Sequence, residues 1–419
     1  MKNAIIVSLR DDTSETIDLA KTLGYEVAEE FIQHRNKPDA NSYVGRGKLE
    51  ELKEYIQDSD TSIDLVVIDG NIKPSQWFLF EKSLGVEVFD RLHLILKIFE
   101  KHADKKEAKL QVRLAQLKYE RPFVREIIHR ARTGEHPGLM AGGEYQVDDY
   151  YEMIKKQMKK INDELKSIAK KRKLRRSHRH ASGFYLVSLA GYTNAGKSSL
   201  LNLLSGEEVK VEGRLFSTLS TTTRKITNSD IPILLTDTVG FIRDLPAWVV
   251  DAFHSTLEEI EVADVVLLMV DISDDLDVLI DKLKTSFKEL LSIGVSSEII
   301  LVLNKCDLID EKEMEHKTKA INKQDFAKNR KVMCISVSDG KNIDLLQNKI
   351  IDSLPDLVKC KIKLPLNENS QSLISFIHDK ARVFDVVYDD SVNISFECNA
   401  HVYRQIISSC KKMNGSIIR

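Results

Sequence analysis

Apolar and polar positions alternate over the first 90 residues in a way that predicts a small α/β unit. Ala4 to Leu9 is an apolar strand run, Ile63 to Ile68 a second that ends at Asp69-Gly70, and Val86 to Phe89 a third. Helical spacing lies between them, over Leu49–Ile56 and Pro74–Leu84. Strands alternating with helices imply a largely parallel sheet. From Leu92 to about Arg130 the spacing is helical, with Leu110, Leu114 and Leu117 on one stripe. A loop rich in Gly and Pro follows, from Thr133 to Gly143. Val147, Tyr151, Ile154, Met158, Ile161, Leu165 and Ile168 then recur at alternating steps of four and three, a heptad seam that stops at Arg172. At ~1.5 Å per residue this seam spans roughly 30 Å. Two long apolar helices joined by a short loop predict an antiparallel hairpin, and a dimeric coiled coil is the alternative.

Lys170 to His180 reads as a basic linker, and a second α/β stretch starts at Phe184. The last segment, from about Cys360, reads strand, helix (Ser370–Ala381), strand (Val383–Tyr388), strand (Asn393–Cys398), helix (Val402–Cys410). The expected division is residues 1–90 as an N-terminal α/β domain, 91–180 as helical hairpin and basic linker, 181–358 as the second α/β domain, and 359–419 as a small α+β domain.

Composition adds little to that picture and charge adds one feature. The chain of 419 residues is 42% hydrophobic and 30% charged, a globular balance. No apolar run reaches the roughly 18–20 residues of a membrane span, and the first residues read as a strand with no cleavage pattern. Cys306, Cys334, Cys360, Cys398 and Cys410 are scattered, which argues against a zinc site or a disulfide framework and fits reduced cytoplasm. The net charge of −2 hides a cluster: Lys155 to His180 holds twelve Lys or Arg and two acids. Such a stretch suits RNA phosphates, with a solvated helix face as the plain alternative.

The chemistry sits in three motifs, each following a strand run. Phe184–Ala190 leads into Gly191-Tyr192-Thr193-Asn194-Ala195-Gly196-Lys197-Ser198, with helical spacing after it. This is a phosphate-binding loop in its required context. Its glycines let backbone N–H groups point inward, and the helix N-terminus favours anions. Lys197 is expected to reach the β- and γ-phosphates and Ser198 to bind Mg²⁺. Ile299–Leu303 ends in Asn304-Lys305-Cys306-Asp307. A carboxylate at Asp307 can accept from guanine N1–H and the 2-amino group, and adenine offers neither donor, so the nucleotide is expected to be GTP or GDP. Lys305 would lie along the base, and Asn304 would brace the loops. Ser336-Val337-Ser338, after the run Val332–Ile335, suits a backbone contact to the base oxygen. Ile233–Thr236 leads to Asp237-Thr238-Val239-Gly240, where Asp237 would hold the Mg²⁺ hydration shell and the Gly240 N–H would sense the γ-phosphate. Upstream, in Phe216-Ser217-Thr218-Leu219-Ser220, Thr218 is the expected second Mg²⁺ ligand and Thr222 its competitor. The residue after Gly240 is Phe241, where many GTPases place a water-orienting Gln, so intrinsic hydrolysis is expected to be slow. Asn194 is a candidate K⁺ ligand, and its alternative role is to brace its own loop. Lys197, Thr218 and Gly240 are the residues expected to act on the transferred phosphate.

Asp237-Thr238-Val239-Gly240-Phe241-Ile242-Arg243-Asp244-Leu245-Pro246 and Ala252-Phe253-His254-Ser255-Thr256-Leu257-Glu258-Glu259 resemble the HflX family of translation-associated GTPases. Tyr43-Val44-Gly45-Arg46-Gly47-Lys48-Leu49-Glu50-Glu51, Asp90-Arg91 and Lys109 to Leu117 look like that family's N-terminal signature. The resemblance implies a P-loop GTPase domain between an α/β domain with a long helical hairpin and a small α+β domain. It also implies binding to ribosomal RNA of the large ribosomal subunit, as a monomer in the cytoplasm, and splitting of stalled or idle ribosomes through the hairpin tip. At that tip the family's Arg-Gly-Pro-Gly-Glu-Thr-Gln-Leu-Glu core is replaced by Gly142-Gly143-Glu144-Tyr145-Gln146-Val147-Asp148. The Gly-Glu-x-Gln part survives and the Arg-Gly-Pro part does not. A ribosome-assembly GTPase and a GTP-regulated docking scaffold are the competing expectations.

Overall fold

A computed structural model describes the chain apart from residues 1, 60, 133–142, 182–183, 207–220, 228, 230, 243–245, 247, 250–256, 329, 356 and 419. The loop between the two long helices and the stretch Phe216–Ser220 with Thr218 therefore lie outside the described residues. Two compact units emerge, one built mainly on Met1–Ile168, the other on Ala169–Gly213, Ser220–Asp244 and Phe253–Arg419.

The first unit opens with β1 (Lys2–Ser8), α1 (Ser14–Leu23), β2 (Tyr25–Ile32), α2 (Arg46–Asp58), β3 (Leu65–Ile68), α3 (Pro74–Leu84), β4 (Glu87–Asp90) and α4 (Arg91–His102). Its strands form a parallel sheet in the order β2-β1-β3-β4. β1 and β3 are buried almost throughout, as inner strands covered on both faces must be. A polar knot closes the carboxyl ends of the strands. Asp69 accepts from Ser8 Oγ at 3.1 Å, Thr16 Oγ1 at 2.6 Å and Arg91 Nη1 at 3.1 Å, while Arg91 Nη2 donates to Glu15 at 2.6 Å. Asp90 caps α4 by accepting from His93 N at 2.7 Å, and burial pushes its carboxyl up to about 6. The Asp90-Arg91 pair of the sequence signature is thus part of the joint between the sheet and the helices.

The helical run after Leu92 is two helices, α4 and then α5 (Lys106–Arg132), interrupted at Ala103-Asp104-Lys105. Lys101 and His102 in the last turn of α4 favour its C-terminal end, and Asp is a residue type that favours helix starts. α5 continues through Pro122. α6 (Gly143–Ala181) carries the heptad seam and extends past Arg172, so the expected linker at 170–180 is helical backbone. Ile154 and Ile161 of α6 pack on Leu114, Leu117 and Val124 of α5, flanked by Tyr151, Met158 and Leu165. Lys106 pairs with Glu164, and Arg121 Nε donates to the Tyr151 hydroxyl at 3.2 Å. The partners run in opposite order along the two helices, so α5 and α6 lie antiparallel.

The second unit contains β5 (Tyr185–Gly191), α7 (Lys197–Ser205), β6 (Thr222–Lys225), β7 (Ile233–Asp237), β8 (Val265–Asp271), α8 (Leu276–Ile293), β9 (Glu298–Asn304), α9 (Glu311–Asn322), β10 (Lys331–Cys334) and α10 (Ile343–Ile351). The sheet order is β10-β9-β8-β5-β7-β6, parallel except for β6, which runs antiparallel to β7 at the edge. The order reverses beside β5, the switch point where α/β sheets bind ligands. The chain ends with β11 (Leu357–Pro365), α11 (Glu368–Lys380), β12 (Arg382–Tyr388), β13 (Ser391–Asn399), α12 (Ala400–Lys412) and β14 (Ser416–Ile418), whose antiparallel sheet has the order β12-β13-β11-β14. β14 was not anticipated, because three residues carry too little pattern to read.

Candidate nucleotide site

Every described motif residue sits at the carboxyl end of the second sheet. β5 delivers the loop that starts at Gly191, and the backbone there admits only glycine. Gly191 has φ +134°, and a Cβ would stand 2.0 Å from Met269 O on β8. Gly196 has φ +93°, and its Cβ would stand 2.2 Å from Asn304 Nδ2. Asn194 is also left-handed, at φ +62°, a conformation Asn tolerates better than most residues. That backbone requirement is a reason for Asn here whatever its side chain binds.

Lys197, the first residue of α7, is buried. Its ammonium donates to Gly191 O at 3.1 Å and Tyr192 O at 2.7 Å, curling back over the loop. Burial pushes its pKa down to about 8, against the charge of Asp237, which raises it. The next side chain, Ser198 Oγ, donates to Asp237 Oδ2 at 2.6 Å. A hydroxyl and a carboxylate this close are hard oxygen donors of the kind Mg²⁺ takes, so the donor set fits that ion. Thr222, the competitor for the second ligand position, lies in edge strand β6 directly opposite Asp237.

After Asp237 the chain folds back onto the phosphate loop. Thr238 Oγ1 donates to Leu189 O at 2.6 Å, so this side chain braces β5 from within. Val239 is buried. Phe241 N donates to Gly191 O at 2.9 Å and Thr193 N donates to Phe241 O at 3.3 Å, a short parallel bridge to Tyr192. Gly240 is squeezed against the loop: a Cβ there would meet Thr193 Cγ2 at 2.8 Å and Lys197 Nζ at 3.0 Å. The backbone of Gly240 is thereby held beside Lys197, the residue expected to reach the γ-phosphate.

Asn304, at the end of β9, joins the two halves of the site. Its Nδ2 donates to Ala195 O at 2.9 Å, and its Oδ1 accepts from Val337 N at 3.2 Å. Lys305 has φ +65° and pairs with Asp271 Oδ2 at 2.5 Å. Cys306 is buried and its N–H donates to Ile335 O at 3.1 Å. Asp307 is exposed, and its carboxyl is held below the usual carboxylate range by the Ser336 hydroxyl first, then by its own backbone N–H, Ser338 and the Lys305 charge. Ser336 and Ser338 lie 3.0 Å apart, Oγ to Oγ. Sequence reasoning missed Asp271 and the docking of Phe241. Asp271 could have been found, since it ends an apolar strand run just as Asp237 does. Of the stretch Ala252–Glu259, Leu257, Glu258 and Glu259 are described, and Glu258 pairs with Arg172 at 3.3 Å.

Known proteins match along nearly the whole chain. Family models match three consecutive stretches: GTP-binding GTPase N-terminal over residues 10–100, GTP-binding GTPase Middle Region over 102–179, and 50S ribosome-binding GTPase over 186–305. The GTPase HflX of Thermococcus kodakarensis is 40% identical over 415 residues, covering 97% of this chain and 92% of that protein. The GTPase HflX of Methanocaldococcus jannaschii is 37% identical over 385 residues, covering 92% of each. The crystal structure of SsGBP in complex with GDP is similar with a TM-score of 0.50 and 30% identity, over 84% of this chain and 98% of that one. With a phosphate loop, a guanine-type Asn-Lys-x-Asp strand end and these relatives in hand, the chain belongs to the HflX family and is a GTP hydrolase.

Proposed function

We propose that this GTPase binds the large ribosomal subunit and dissociates stalled or idle ribosomes, using GTP as the timer. Gly191–Ser198 hold the phosphates, with Lys197 on the β- and γ-oxygens. Ser198 and Thr218 hold Mg²⁺, and Asp237 holds its water shell. When bound, that ion neutralises charge on the β- and γ-phosphates. Gly240 senses the γ-phosphate. Asn304, Lys305, Cys306 and Asp307 read guanine, with Ser336, Val337 and Ser338 behind the base. The observation that carries this assignment is the double hydrogen bond of Asn304, which ties the phosphate loop to the base loop in one rigid frame. Phe241 cannot orient water, and its backbone is committed to the phosphate loop, which supports slow turnover until a stimulator acts.

The ribosome reading is supported by the basic run of α6 and by the family model named for 50S ribosome binding. We place the functional parts as residues 1–90, 91–180, 181–358 and 359–419, with the α5–α6 pair as the ribosome-reaching hairpin. One observation favours a second reading, assembly of the subunit without splitting. The residues around Gly142 lack the family's Arg-Gly-Pro core at the tip. Phosphate release, measured with and without purified large or small subunits and in KCl or NaCl, tests the subunit and the K⁺ readings, and sedimentation of intact ribosomes separates splitting from assembly. Stimulation by large subunits alone supports the reading, and equal rates with and without them sink it. Faster turnover in KCl that is lost in Asn194→Ala assigns K⁺ to Asn194, and equal turnover leaves Asn194 as a loop brace.

A further inference from the structure

The C-terminal module runs β–α–β–β–α–β, and both helices cover one face of its sheet. Ile362 and Leu364 of β11 and Ile394 and Phe396 of β13 pack with Leu373 and Ile377 of α11 and Val402 and Ile406 of α12. Alternation along β11 therefore turns Lys359, Lys361 and Lys363 to the opposite face, and all three are exposed. At the neighbouring edge a register shift between Val383 and Asp385 inserts Phe384 as a bulge. Such an insertion re-aims a side chain, and Phe384 stands on the lysine side, 51% exposed. Its ring centroid lies 5.8 Å from Lys359 Nζ and 5.5 Å from the Arg382 guanidinium. Glu397 of β13, buried and in register with both Lys359 and Arg382, and Asp385 of β12, exposed and in register with Ser395, offset two of the four positive charges of Lys359, Lys361, Lys363 and Arg382. The face stays positive.

We propose that this sheet face binds single-stranded RNA, with the lysine row on successive phosphates and Phe384 stacking a base. Lysines two residues apart on a strand are about 6.8 Å apart, within reach of adjacent phosphates of an extended chain. Four-stranded sheets use an open face this way for single-stranded RNA, with aromatics as stacking platforms. Here the two central strands present Lys, Asn and Ser on that face, with Glu397 the one acid among them, and no aromatic, so recognition is led by phosphates and is tolerant of sequence. A peptide would add to an exposed strand edge and use backbone hydrogen bonds, which a row of lysines on the face does not serve. The proposal is independent of ribosome binding and of α6, and either can fail alone.

The test uses the full chain and a fluorescent oligouridine. Affinity is measured across salt concentrations for the wild type, for the triple variant Lys359→Ala/Lys361→Ala/Lys363→Ala, and for Phe384→Ala. Each phosphate contact on a single strand contributes about 0.7 to the slope of log K against log salt, so the triple variant should lose about 2 from that slope. Phe384→Ala should weaken binding about fivefold or more and leave the slope unchanged. Ultraviolet crosslinking of the wild type should place uridine on peptides from β11 and β12. Unchanged far-ultraviolet circular dichroism and thermal melting report that the variants fold. A triple variant with the wild-type slope, or crosslinks confined to α6, overturns the proposal.

Discussion

Asp307 stands exposed with its carboxyl held below the usual carboxylate range by the hydroxyls of Ser336 and Ser338, and in the proposed base site it would accept two donors from guanine. In Asp307→Asn the amide would face those donors with one of its own. GTP affinity should fall by about a hundredfold or more, and xanthosine triphosphate, which has an oxygen in place of the 2-amino group, should become the preferred ligand. Competition binding measures both, and an unchanged preference for GTP would remove Asp307 from the base site. Lys197 makes a pH prediction. Burial lowers its pKa to about 8, so in the free protein the ammonium starts to lose its proton near that pH. A bound triphosphate favours the charged form, so binding takes up a proton and affinity falls as pH rises through this value. From about pH 7 to about pH 8.5 GTP should bind about fourfold more weakly, while Lys197→Arg should show no such trend. Titration with a fluorescent nucleotide at both pH values checks it. At this scale the loops that converge in the candidate site were legible, because phosphate and guanine each demand particular side chains at particular spacings. The docking of Phe241 was not, because its two hydrogen bonds are backbone to backbone and leave no mark on residue type.

Elements were legible where burial sets the pattern and illegible where it does not. β5 and β9 are buried almost throughout and read directly as strands. β2 escaped notice because it is an edge strand with Glu26, Glu29 and Glu30 exposed, the charged habit by which edges avoid further pairing. The helix of α6 beyond Arg172 was read as linker because the apolar seam ends there. Lys and Arg are nonetheless good helix formers, and no Gly or Pro stops them before Ala181. The α5–α6 contact rests on a small core, so each member matters. Ile154 is fully buried in it, and Ile154→Ala should cost about 2–5 kcal/mol by urea unfolding. Met153 beside it is 45% exposed, and Met153→Ala should stay within about 0.5 kcal/mol. Equal effects at the two positions would mean that the seam does not hold the helices together.

At the scale of the whole molecule, the proposed function joins the GTP site and the long basic helix in one switch. The phosphate and base loops are tied through Asn304, so in the proposed cycle the moving part is the set of segments that would meet the γ-phosphate, Gly240 among them. The basic run from Lys155 is where an RNA partner would be held, and such contacts weaken as salt rises. The direct measurement is sedimentation of intact ribosomes through a gradient at low salt, with the protein and either a non-hydrolysable GTP analogue or GDP. The account predicts that the analogue moves ribosomes into subunits, with the protein travelling on the large subunit, and that GDP does not. Absence of the protein from the large subunit with either nucleotide would contradict it.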